Sequence, residues 1–150
     1  MIHGLSTGGW AQAASVNIVD MNARRMANVE VYEDRLGLHE VTTHPASPSN
    51  YSHFNHFKEI VSPPVKEDAH RTSSLHRQAR LDALPAPQST ADIALRLSDT
   101  ADTEYPIYRQ MTLATLILDG AARSLHVWCC GRSATSGPPA FKWDLRSFFR

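Results

Sequence analysis

The chain reads as an α+β fold with largely antiparallel sheets and two helices. Three observations carry this. Strand patterns come first, helix patterns follow, and a hairpin pattern closes the order. No β-α-β unit repeats, as a mainly parallel sheet would require. The closing hairpin pattern covers residues 111–118 and 124–129, which are rich in Leu, Ile and Val. Its turn is Asp119-Gly120-Ala121-Ala122.

The elements follow in order. Gly8-Gly9 marks a flexible entry. From Ser15 the pattern turns strand-like, with Val16, Ile18 and Val19 running to Asp20. Asn22-Ala23-Arg24-Arg25 fits a turn. Residues 27–32 alternate: Val29 and Val31 face one way, Asn28 and Glu30 the other. That is the mark of a half-buried strand, and it predicts an antiparallel hairpin with residues 16–20. Residues 36–41 add a third strand, with Asp34 and Arg35 in the turn before it. Pro45 and Pro48 make residues 44–50 a loop, and residues 51–57 fit a short strand. Pro63-Pro64 ends regular structure.

Glu67 and Asp68 suit the positive end of a helix. At a hundred degrees per residue, His70, Ser74, Arg77, Leu81 and Leu84 fall on one stripe. If Leu81 and Leu84 face the core, Ser74 and Arg77 point inward with them. Pro85 and Pro87 stop this helix. Ser89 and Asp92 resemble a capping box for a second one, with Ile93 and Leu97 as its apolar side. Residues 101–110 form a loop around Pro106, and residues 132–150 an irregular tail.

With 150 residues, 42% of them hydrophobic, the chain can build one domain with a real core. Lys+Arg and Asp+Glu balance at 15 each, which argues against a nucleic-acid partner. No apolar run approaches a membrane span, and residues 1–10 do not read as a signal peptide. Cys129 and Cys130 are adjacent. Neighbours in a strand point to opposite faces, so they are poorly placed to bridge each other. They are expected to be buried, inert thiols in a reducing compartment, which suits a cytoplasmic location.

Candidate chemistry centres on residues 51–84. His53 and His56 form an H-x-x-H, with His70 and His76 downstream. A zinc site needs three or four converging ligands, so structural roles suit these histidines better, and no metal or cofactor is expected. Asn55, among aromatics, offers a neutral donor that could face a developing oxyanion, or a simple turn residue. Arg77, on an inward stripe, needs acceptors. Its alternatives are an active-site charge or a structural ion pair.

The order of these features carries a resemblance. H-x-N-H at residues 53–56 is followed by S-S-x-x-R-x-x-R-L at residues 73–81. Residues 15–20 and 30–32 look like a strand pair with an Asp turn and a closing Glu. Residues 111–115 and 125–128 look like a closing hairpin. Together this set resembles the acyl-coenzyme A:isopenicillin N acyltransferase-like peptidase family. It is similar, more distantly, to penicillin V acylases and conjugated bile acid hydrolases. The resemblance spans most of residues 14–131.

It implies part of an N-terminal-nucleophile αββα sandwich that hydrolyses or exchanges non-peptide amide bonds. Asn55 then matches the oxyanion donor and Arg77 the active-site Arg, at one shared cleft. Ser74 lies near a position that supports this Arg. Phe54 stands where many members carry Thr. The family's Gly-Cys cleavage site, whose Cys is the nucleophile, lies upstream of anything here, and neither cysteine matches it. The chain thus looks like the C-terminal half of such an enzyme, inactive alone. It would take a small amide or acyl-thioester substrate and a complementary N-terminal chain as partner. A half-sandwich should also expose strand edges and apolar patches. The alternative is an inactive fold remnant or small interaction module.

Overall fold

The computed structural model describes residues 14–32, 35–44, 47–48, 51–61 and 71–148. The predicted Glu67–Asp68 helix start, His70, Pro63-Pro64, Asp34 and the Gly8-Gly9 entry lie outside them. The chain divides into two compact units, Met1–Leu75 and His76–Arg150.

The first unit holds β1 (Ala14–Asp20), β2 (Arg25–Tyr32), β3 (Arg35–His44) and the two-residue β4 (Ser47–Pro48), all antiparallel in that order. The expected hairpin is present, with Val16 opposite Val29. Its turn is set by Asp20, whose Oδ1 accepts from the N–H of Asn22 and Ala23 at 3.0 and 2.8 Å. Arg24 then takes a positive φ of 52°. Arg25 belongs to β2, and Arg35 to β3, not to turns. The stretch predicted as a loop contains β4, with His44 paired to Ser47.

One expectation fails usefully. β2 is not half-buried: Asn28, Val29, Glu30 and Val31 are all buried, so both its faces are covered. Residues 51–60 are not a strand either. The His53 ring and the N–H groups of residues 58–60 go to the Glu30 side chain of β2, as described below, rather than to a ladder.

α1 (Arg71–Asp82) begins in the first unit and continues into the second. The stripe prediction holds for Ser74, Arg77 and Leu81, which are buried. Leu84 lies beyond the helix and is partly exposed.

In the second unit α2 (Thr90–Leu97) is capped as expected, the Ser89 side chain accepting from the Asp92 N–H. Its inner face is Ala94 and Leu97, packed on Ile117, Trp128 and Ala134; Ile93 is exposed instead. Arg96 Nη2 donates to the Leu81 carbonyl at 2.6 Å, tying α2 to α1. Arg80 and Asp99 form a two-point ion pair at 3.0 and 2.7 Å.

β5 (Ala114–Asp119) and β6 (Ser124–Cys129) form the predicted hairpin, though Met111 and Leu113 precede the strand and are exposed. Asp119 Oδ1 accepts from the Ala122 N–H at 2.8 Å, and Arg123 takes a φ of 50°. Both hairpins therefore use an Asp at the strand end and a left-handed Arg four positions on. The tail is not irregular throughout: β7 (Phe141–Asp144) adds antiparallel to β6, and Arg146–Phe148 makes one 3₁₀ turn.

Opposed residues in an antiparallel sheet share a face. Leu116, Val127 and Phe141 therefore form one row across the three strands, and Leu118, Leu125 and Trp143 a second. This face is open, with Leu116 58% and Trp143 45% exposed. The opposite face carries Thr115, Ile117 and Trp128, which are buried. The expectation of exposed apolar patches is met here.

Candidate functional site in residues 51–60

The site starts from the polar face of β2. Asn28 Nδ2 donates to Ser15 Oγ and Asn17 Oδ1 at 2.8 and 2.9 Å, and Tyr51 Oη donates to Asn28 Oδ1 at 3.4 Å. Two residues on, Glu30 is fully buried at 0% exposure. Its Oε1 accepts from His53 Nε2 at 2.6 Å and from the Lys58 N–H. Its Oε2 accepts from the Glu59 and Ile60 N–H groups at 2.9 and 2.8 Å. Three consecutive amides and an imidazole thus enclose one carboxylate. A buried charge survives only when its lone pairs are met in this way. Burial opposes ionisation of Glu30, but the donors from Lys58, Ile60, His53 and Glu59 outweigh it and hold the carboxyl below its ordinary range.

The cradle needs room above the sheet. Gly37 is the cross-strand partner of Glu30 and so lies on the same face. A Cβ there would meet Glu59 Cβ at 2.7 Å and Ile60 Cγ1 at 2.9 Å. The missing side chain is what lets residues 59–60 descend to the carboxylate.

The other flank is held by aromatics. His53 and His56 stack at 6.3 Å with 12° between their planes. His56 Nδ1 lies 2.8 Å from Ser74 Oγ, both groups buried. Tyr32 and Phe57 meet edge to face at 5.7 Å. Lys58 Nζ sits 4.7 Å from the centre of the Tyr51 ring and donates to the Ser52 carbonyl at 2.9 Å. Burial, together with the charges of Glu59 and Glu30, pushes the Tyr51 phenol up to about 12.

Among residues 51–60, all of them described, Asn55 alone is exposed. It sits in a bend between two anchored histidines. It lines a cavity of about 260 Å³ together with Ala14, Ser15, His53, Phe54, His56 and Phe57.

Arg77, the second predicted site residue, lies in the second unit, whereas Asn55 lies in the first. It is buried at 7% exposure. Burial first, and the charge of Arg109 second, lower its pKa. Ser74, expected to support it, hydrogen-bonds His56. His76 lies 3.4 Å from Asp102 and packs on Tyr105. Among the described residues no group of three or more His, Cys, Asp or Glu could hold a metal ion, and no helix is long and apolar enough to cross a membrane.

Sequence reasoning treated Glu30 as one tooth of an alternating strand and gave Gly37 no role. The signal was present: an acidic residue flanked by valines in a central strand predicts a buried charge that needs several donors. The cysteines were also misread. Cys129 is half-buried, Cys130 is exposed, and their sulfurs lie 3.3 Å apart. Cys130 is outside the strand with a φ of 59°, so the rule of alternating faces does not apply to it. No protein-family model, curated protein or solved structure matches the chain.

Proposed function

We propose that this chain is the C-terminal, oxyanion-stabilising portion of a cysteine N-terminal-nucleophile amide hydrolase or acyltransferase. Its substrate is a small molecule with a non-peptide C–N amide or an acyl thioester. The nucleophile comes from polypeptide outside these 150 residues, and the complementary N-terminal segment is the partner.

The observation that carries the reading is the setting of Asn55. It is the exposed residue of a stretch whose neighbours are fixed by Glu30 and Ser74, and it borders a small cavity. As a thiolate attacks an acyl carbon, the carbonyl oxygen gains charge, and a fixed amide N–H stabilises that charge without reorganising. Arg77, matched by the resemblance to the active-site Arg, is buried, as that role requires. The open face of β5, β6 and β7 supports the partner assignment, because a sheet of the missing portion would have two rows of apolar side chains to cover.

That open face also favours a second reading, an interaction module without chemistry. Co-expression with a polypeptide bearing an N-terminal Cys region of this family separates the two. The enzyme reading expects a complex by native mass spectrometry, with amide turnover that neither part shows alone. A stable complex without turnover of acyl-amino-acid amides or penicillin V leaves the interaction module. Turnover by the purified chain alone, abolished by Cys129→Ala or Cys130→Ala, places the nucleophile inside this chain and defeats the proposal.

A further inference from the structure

The end of β6 carries a feature that the amide chemistry does not use. The Arg132 N–H donates to the Cys129 carbonyl at 3.2 Å, closing a four-residue turn. Its two central residues, Cys130 and Gly131, both have positive φ, 59° and 78°. This is the pattern of a type I′ turn, in which the first central position is ordinarily Asn, Asp or Gly. A Cys there is held in a sparsely populated conformation. The consequence is geometric. The left-handed backbone swings the Cys130 side chain onto that of Cys129, with Sγ–Sγ at 3.3 Å and both thiols free.

We infer that Cys129 and Cys130 form a preorganised two-sulfur chelating site, and that its ligand class is a soft, thiophilic trivalent metalloid such as an organoarsenical. The spacing fits: with metal–thiolate bonds of about 2.3 Å, two sulfurs on one soft centre sit roughly 3–4 Å apart. The ligand count selects the class. Zinc needs three or four protein ligands, and no third His, Cys, Asp or Glu joins the pair among the described residues. A monosubstituted trivalent arsenical brings its own third substituent and needs only two thiols. Access is direct, since Cys130 is exposed. The hydrogen bond to Cys130, with burial, pushes the Cys129 thiol up, and the nearby Arg132 charge offsets this in part.

The reaction balances without an oxidant. An oxide R–As=O and two thiols give R–As(SCys)₂ and one water: two As–S bonds form, two S–H bonds and the As=O bond break, and arsenic stays trivalent. The second As–S bond is intramolecular, so the chelate resists displacement by single thiols far better than a one-sulfur adduct.

The test uses the reduced full chain and phenylarsine oxide, read by intact mass. These are the chain's only two cysteines. The expected product is a single adduct, formed with loss of one water. It survives excess glutathione and is removed by dithiothreitol. Cys129→Ser and Cys130→Ser, with circular dichroism unchanged from the parent, should each lower the glutathione concentration that strips the adduct by roughly 10²-fold or more. Two arsenicals on one chain, no adduct, or single-Cys variants that hold the reagent as well as the parent would overturn the inference.

Discussion

Glu30 Oε1 lies 2.6 Å from His53 Nε2, and the same carboxylate takes three successive backbone amides from residues 58–60. A fully buried side chain on a central strand therefore sets the path of the segment that displays Asn55. Glu30→Ala leaves four donors facing a void. Each unmet buried donor costs about 1–3 kcal/mol, so a loss of roughly 3 kcal/mol or more is expected in urea unfolding. Glu30→Gln keeps the volume but turns an amide donor toward other donors, and should fall between the parent and Ala. Amide exchange of Lys58, Glu59 and Ile60 should rise in both variants before exchange in β5 and β6 changes. Unchanged protection at residues 58–60 would contradict the cradle.

Gly37 makes the same point from the opposite strand. Gly37→Ala places a Cβ within 2.7 Å of Glu59 Cβ and 3.1 Å of the Glu59 carbonyl carbon, which belongs to the backbone. The segment has to lift, at a cost of about 1–3 kcal/mol typical of overpacking. The expected signature is a lower urea midpoint together with faster exchange at residues 58–60. Gly120→Ala, where an added Cβ meets nothing within 4 Å, serves as the control and should be nearly silent.

The pH dependence of stability follows from Glu30. Its folded-state pKa lies below the ordinary value of 4.5. Above that value the group is ionised in both states, and its full stabilisation is present. As pH falls below about 4.5 the unfolded chain binds the proton first, and stability declines until the folded form is protonated too. Unfolding free energy should therefore drop between neutral pH and pH ~3. Asp92, Asp99, Asp102 and Asp144 are also held low by their hydrogen bonds and ion pairs and contribute to the same slope. The part due to Glu30 is the difference between the parent and Glu30→Gln, which should narrow as pH falls. A constant difference across this range would remove Glu30 from the titration.

The open face of the second unit offers a contrast between two neighbouring residues. Leu116 and Ile117 are adjacent in β5 and face opposite ways, one 58% and the other 5% exposed. Ile117→Ala should cost about 2–5 kcal/mol through the cavity it leaves. Leu116→Lys should change stability by only about 0.5 kcal/mol and reduce binding of an apolar fluorescent dye. If Leu116→Lys abolishes assembly with an N-terminal partner while leaving the fold intact, that face is the contact.

How far the sequence could be read depended on whether structure followed a period. Val29 and Val31 alternating with Asn28 and Glu30 located β2, and Ser74, Arg77 and Leu81 located the buried stripe of α1. Asp119 was visible in its turn for its own local chemistry, whereas Asp20 read as the end of a strand. Phe141-Lys142-Trp143-Asp144 alternates as well, but four residues inside a Gly/Pro/Ser-rich tail fall below what a period can establish. Residues 51–57 fit a short strand by pattern, yet no ladder forms there. The path of residues 51–60 is set by a carboxylate some 30 residues earlier in the chain, through bonds to backbone amides that carry no side-chain signature. Gly37 was silent for the same reason, since its role is the absence of a clash with Glu59 and Ile60. Cys130 escaped because a turn with positive φ follows no alternation rule.

Asn55 carries the sharpest functional expectation. Its side chain is exposed, so Asn55→Ala should alter stability by no more than about 0.5 kcal/mol, and any kinetic effect is then separable from folding. If the amide donates to an oxyanion, its hydrogen bond strengthens as charge develops, and its loss is felt in the transition state more than in substrate binding. In the assembled enzyme we expect kcat to fall about 10²–10³-fold with KM changed little. Asn55→Asp should be at least as damaging, because a carboxylate at that point repels the oxyanion rather than donating to it. Asn55→Gln keeps the donor but shifts it by one methylene, and a partial loss is expected. A kcat unchanged by Asn55→Ala, in a complex that turns over substrate, would strip the residue of its catalytic role. The pinned segment would then serve structure alone.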